Sequence, residues 1–160
     1  MILFFISGSF SALFAIIAEL VAFSFLTPSG VGIDPWNLNN IGIPFSVILM
    51  TLAVVAVIEE SLKFLVLARQ TVRATEASTD WLRFVVFGIG FTVTEIAFAS
   101  ISSGNGSLIP IGAMAGLLVL HVLTAFLYGK AVGSRRNRLR LIYAVGILIH
   151  LSYDILLALA

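Results

Sequence analysis

The chain has 160 residues, 60% of them hydrophobic and 11% charged, against the roughly 25% charged of an ordinary soluble domain. Its apolar runs approach or exceed the ~20 residues that a helix needs to cross a bilayer, which excludes a soluble fold. The formal net charge is +1 and there is no cysteine, so disulfides and thiolate metal sites are excluded, the redox compartment is left open, and no nucleic-acid partner is expected.

Five spans follow in chain order. The first covers about 2–26 and contains Glu19; it lacks a basic n-region and is too long for a signal peptide. A polar stretch with Pro, Gly and Asn punctuation follows, carrying Trp36. The second span covers about 41–68 and holds "VIEESLKFLVLAR" (57–69). The third covers about 84–101, the fourth about 108–132 and the fifth about 141–160. No internal repeat and no appended soluble domain is evident, so the expected fold is all-α: one polytopic transmembrane bundle over residues 1–160. Arg69, Arg73 and Arg83 flank or occupy the second connection, and Arg135, Arg136, Arg138 and Arg140 the fourth; the first and third carry no Lys or Arg. Short basic loops stay cytoplasmic, which predicts an integral protein of the cytoplasmic (plasma) membrane with its N-terminus inside. Trp36, Trp81 and Tyr143 read as interfacial anchors, and Lys130 as a residue that snorkels to the surface. Gly112/Gly116 and Gly129/Gly133 are GxxxG pairs that permit close helix approach.

The ionisable residues inside the spans form a layer. At ~1.5 Å rise per residue, Glu59 lies about 15 Å from the basic end of its span, Glu95 about 17 Å, His121 about 18 Å, His150 about 14 Å and Asp154 about 20 Å. Polar accidents would scatter in depth; these residues do not. A central Asp, Lys or Arg costs about 2.5–3.5 kcal/mol on insertion scales, so Glu59, Glu60, Lys63, Glu95 and Asp154 are expected to face one another or a watery cavity. Glu59 and Lys63 are i,i+4, an order that suits an ion pair, and His150 and Asp154 share a face by the same spacing. Gly88, Phe91, Thr92, Glu95, Ala99 and Ser102 form a small and polar stripe on the third span, and His121, Thr124 and Tyr128 one on the fourth. Lys63 is expected to balance the charge of Glu59. Glu19, near the outer end of the first span, is expected to stand apart from the layer and make a structural hydrogen bond.

At these residues the sequence resembles the PrsW-type intramembrane proteases, within the CAAX prenyl protease (CPBP) superfamily. "EESLK" (59–63) matches the EExxK signature, "FTVTE" (91–95) matches FxxxE, His121 followed by Gly129 is similar to the next histidine helix, and "HLSYD" (150–154) matches HxxxD/N. The motifs fall in order on four successive spans; Ile96 stands where family members often carry Asn. The resemblance implies an intramembrane peptidase acting on membrane-embedded or membrane-associated proteins or peptides.

Hydrolysis in a membrane needs an activated water, a proton carrier and a group that holds the oxyanion. Partly by resemblance, Glu59 or Glu60 is assigned as general base. Glu95 and His121 would position the water or bind a metal, and His150 and Asp154 would contribute metal binding or oxyanion stabilisation. Zinc on His121, His150 and a carboxylate such as Glu95, and a metal-free glutamate–histidine site, both remain open. The rivals are a catalytically silent scaffold of the same superfamily and a small proton-coupled transporter, which also needs mid-membrane carboxylates.

Overall fold

The computed structural model describes residues 1–26, 44–73, 81–102, 110–132 and 136–159, without the side chains of 71–73, 136 and 137. All five expected spans are helices: α1 (Ile2–Leu26), α2 (Phe45–Arg73), α3 (Trp81–Ser102), α4 (Ile111–Ala131) and α5 (Arg136–Leu159). No strand occurs among the described residues. Each helix is long and apolar enough to cross a membrane, which marks an integral membrane protein. The expectations resting on Trp36, Gly133 and Arg135 lie outside the described residues.

Two helices begin directly after a proline. Pro44 and Pro110 place a carbonyl at the head of α2 and α4, accepting from Val47 and Met114, and a proline there has no N–H to leave unsatisfied. Helix ends differ from the sequence-based bounds in one direction at the basic side. α2 runs past Ala68 to Arg73, α3 starts at Trp81 rather than Phe84, and α5 starts at Arg136 rather than Leu141. Hydropathy marks where hydrocarbon ends, whereas a helix continues while its main chain is best satisfied internally, so Arg69, Arg83, Arg138 and Arg140 extend the rods beyond the apolar slab.

α1, α2, α4 and α3 follow one another around a four-helix ring, and α5 lies in the groove between α2 and α4. α1 packs most extensively on α3, and glycine is what brings them together. A Cβ on Gly8 would strike the Phe87 carbonyl, and one on Gly90 would strike the Phe5 carbonyl. On the other side of α3, a Cβ on Gly88 would come within 2.7 Å of Val122 Cα on α4. The predicted GxxxG pair is only half used: Gly116 meets the Tyr153 ring, but nothing lies within 4 Å of Gly112. Gly129 accommodates the Phe84 ring.

The distribution of polarity is that of a membrane bundle. Ile2, Phe25, Ile101 and Ile111 are all more than three-quarters exposed, while Glu60, Lys63, His121 and Thr124 are fully buried. Lys130, exposed in the last turn of α4, sits 5.7 Å from the Phe126 ring centroid, in keeping with a snorkelling cation. Tyr143 corrects its expected role. Its hydroxyl lies 2.6 Å from Ser61 Oγ and its ring 5.5 Å from that of Phe64, so it ties α5 to α2 rather than pointing outward to anchor the bundle in headgroups.

Candidate functional site

Lys63 is the hub of the buried polar layer. Its Nζ lies 2.6 Å from Glu60 Oε1, 2.6 Å from His121 Nδ1 and 3.5 Å from Glu59 Oε2. It also sits 4.3 Å from the centroid of Phe91, a cation–π contact strengthened by the absence of competing water. The expected pairing with Glu59 is therefore secondary: the nearer carboxylate is Glu60, at i,i+3. Both spacings place a carboxylate beside Lys63 on one helix face, and side-chain packing selects between them.

From this hub the polar contacts spread over four helices. His121 Nε2 on α4 lies 2.6 Å from Glu95 Oε2 on α3, and His150 Nδ1 on α5 lies 2.7 Å from Glu60 Oε1 on α2. His150 Nε2 lies 3.5 Å from Asp154 Oδ2 and 3.8 Å from Glu59 Oε2. The imidazoles are 5.6 Å apart, centroid to centroid. The structure thus brings together all six residues singled out as candidates, Glu59, Glu60, Glu95, His121, His150 and Asp154, around a lysine. Asp154 is the least enclosed, with 13% of its side chain accessible.

The two adjacent glutamates differ. Glu60 Oε1 is shared by Lys63 and His150, and the Tyr128 hydroxyl approaches Glu60 without reaching strict hydrogen-bond geometry. Glu59 has no oxygen shared in this way: its Oε2 is buried without a hydrogen-bond partner, as are the second oxygen of Glu60, Oε2, and Asp154 Oδ2. A polar network that served only to hold helices together would satisfy its members.

Toward the arginine-bearing end, aromatic rings close the site. Phe64 stacks edge-on to Tyr128 at 5.6 Å and leans on Tyr143, with Phe84 and Phe87 buried on α3. Gly146 on α5 leaves room for the Tyr128 hydroxyl. Toward the other end lies Glu19, which sequence reasoning set apart from the layer. The structure buries it, leaves its Oε1 without a partner, and places it within electrostatic range of Glu59, Glu95, Asp154 and Lys63. Its depth, about 10 Å from the end of α1, hid this, because depth along one span does not fix which residues of neighbouring helices it meets. The signal available was that a lone glutamate inside an apolar span needs a polar neighbour.

The donor set defines the chemistry. Five carboxylates (Glu19, Glu59, Glu60, Glu95 and Asp154) converge with one ammonium and two imidazoles. The aliphatic hydroxyls nearby are committed elsewhere: Ser61 Oγ to Val57 O and Tyr143, Thr92 Oγ1 to Gly88 O and Thr124 Oγ1 to the His121 carbonyl. Among the described residues no hydroxyl is hydrogen-bonded to either imidazole ring, so the cluster suits water activation and proton transfer rather than a serine- or threonine-type nucleophile. One ligand atom each from Glu59, His121 and His150 falls within 4.8 Å of the others, a spacing that can hold a metal ion. Glu59 and His150 offer unengaged atoms for it. His121 has both ring nitrogens in hydrogen bonds, to Lys63 and Glu95, and would join only by giving one of them up.

In comparisons with known proteins, no family model, curated protein or solved structure matches this chain.

Proposed function

We propose that this chain is an intramembrane hydrolase that cleaves peptide bonds of membrane-embedded or membrane-associated proteins, with Glu59 as general base. The observation that carries the reading is the unpartnered, buried Oε2 of Glu59 beside His150 Nε2. A water between them is positioned to lose a proton to Glu59 as its oxygen bonds to the scissile carbonyl carbon. Collapse of the tetrahedral intermediate breaks the C–N bond, and Glu59 returns the proton to the departing amine. Glu60, whose Oε1 is shared by Lys63 and His150, holds the site in shape. Zinc held by Glu59 and His150 would be an alternative to that base role of Glu59, supplying Lewis acidity and a more acidic bound water. The peptide substrate class rests on the resemblance of the EExxK, FxxxE and HxxxD segments to PrsW-type proteases.

Two observations favour hydrolysis over the rivals. All four site-bearing helices run unbroken through the site, whereas transporters commonly bind ions at interrupted helices. The unsatisfied carboxylate oxygens of Glu59 and Asp154 are a liability in a silent scaffold. The basic connections favour a plasma-membrane protein with its N-terminus in the cytoplasm, and the aromatic closure at that end would leave the lipid-facing or outer side, near Asp154, as the route for substrate.

The test is cleavage of single-span membrane peptides by the purified protein in liposomes. Glu59→Gln is expected to lower the rate by on the order of 10²-fold or more while the protein purifies as the wild type does. Full activity in Glu59→Gln would overturn the assignment and favour a scaffold.

A further inference from the structure

We infer that the Glu60–Lys63 ion pair sets the two histidines in opposite tautomers, His121 carrying its proton on Nε2 and His150 on Nδ1. What each partner can offer decides where the ring protons sit. An ammonium has three N–H donors and no lone pair, whereas an ionised carboxylate only accepts. Lys63 Nζ lies 2.6 Å from His121 Nδ1, so that nitrogen is the acceptor. The ring proton of neutral His121 is then on Nε2, where Glu95 Oε2 receives it at 2.6 Å. The same ion pair acts on His150 through its other member. Glu60 Oε1, already accepting from Lys63, lies 2.7 Å from His150 Nδ1, so His150 must donate from Nδ1.

The unused nitrogen differs in kind as a result. His150 Nε2 keeps its lone pair and turns it toward Glu59 Oε2 and Asp154 Oδ2, at 3.8 and 3.5 Å, beyond good hydrogen-bond length. His121 Nε2 is a committed donor. Two histidines that look equivalent in sequence therefore have different work available: His150 can accept a proton or ligate a cation through Nε2, while both nitrogens of His121 are committed, Nδ1 to Lys63 and Nε2 to Glu95. Neither Lys63 nor Glu60 needs to touch substrate for this; they are positioning residues, fixing ring identity in the way that hydrogen bonds to the far nitrogen orient metal-binding and catalytic imidazoles. The consequence for water activation rests on the hydrolase reading. The tautomers do not.

The chain contains two histidines, so ring ¹⁵N spectra of histidine-labelled protein in bilayers at neutral pH resolve the question directly. The wild type is expected to show two neutral rings, one protonated at Nε2 and one at Nδ1, assigned by the loss of one set of signals in His121→Gln and of the other in His150→Gln. Both rings in one tautomer, the reverse assignment, or an imidazolium at either position would overturn the proposal. In Lys63→Met, His121 is expected to leave its pure Nε2–H state, and Lys63→Arg, another donor-only cation, is expected to restore it. A His121 spectrum unchanged in folded Lys63→Met would remove Lys63 as the cause; if that variant does not fold, the wild-type pair of tautomers decides. These spectra need no substrate, so their outcome is independent of whether cleavage is observed.

Discussion

The Nζ of Lys63 and the Nδ1 of His121 stand 2.6 Å apart, 58 residues apart in sequence, and join α2 to α4 in the middle of the bundle. Both side chains are fully buried. The contact makes Lys63 part of the site's architecture and not merely a counter-ion on its own helix.

A double-mutant cycle measures that role. Removing one member of a buried ion pair leaves an uncompensated charge and costs about 3–5 kcal/mol. Lys63→Met and Glu60→Gln should each lower the midpoint of thermal unfolding in detergent. The double variant should recover much of the loss, because both charges are gone together. Simple additivity of the two losses would mean that the pair is not coupled.

Helix packing gives a prediction free of the polar layer. Gly90→Ala drives a methyl into the Phe5 carbonyl, and that backbone atom cannot rotate away as a side chain could. About 1–3 kcal/mol of destabilisation is expected, as in other overpacked contacts. Gly112→Ala, made in the GxxxG pair that the sequence flagged, meets nothing within 4 Å and should change stability by no more than about 0.5 kcal/mol. Equal effects of the two substitutions would contradict the α1–α3 contact described here.

Topology is testable because the chain lacks cysteine. Single cysteines at Asp34, Ser78, Asn105 and Asn137 can be labelled from either side of an intact membrane. Ser78 and Asn137 should react only from the cytoplasmic side, and Asp34 and Asn105 only from the other. Labelling of Ser78 from outside would reverse the orientation.

What the sequence revealed follows from which forces are local. Hydropathy located all five helices because insertion into hydrocarbon is scored residue by residue along one span. Depth along each span brought Glu59, Glu95, His121 and His150 to one level because rise per residue is fixed. Partner choice was not legible. Spacing allowed Lys63 to meet either Glu59 or Glu60, and the rotation and stagger of α4 and α5 decided it by carrying His121 and His150 to Lys63 and Glu60. Tertiary packing likewise brought Glu19 into range of the layer. Hydropathy also said nothing of where a helix stops beyond the hydrocarbon, hence the extra turns at Arg73 and Arg136.

Metal binding separates the two sides of the cluster. Within the metal-spaced trio of Glu59, His121 and His150, the atoms free to receive a divalent ion are Glu59 Oε2 and His150 Nε2, the first with no hydrogen bond and the second beyond good hydrogen-bond length of its carboxylate neighbours. Glu95 instead spends an oxygen on His121. Titration of zinc into chelator-treated protein, followed by calorimetry, should therefore give at most one site, abolished by Glu59→Gln and by His150→Ala. Glu95→Gln should leave affinity within about tenfold of wild type, the lower range for losing a group that acts on the site only through a neighbouring side chain. If zinc binding survives Glu59→Gln and is lost in Glu95→Gln, the ion sits on the His121 side, and Glu59 is left without metal as a bare carboxylate base. If no zinc binds at all and cleavage persists in chelator, the water is activated by Glu59 and His150 alone. The two His150 outcomes share a mechanism of positioning, since in each the Nε2 lone pair is aimed at the same gap by the bond that Nδ1 makes to Glu60.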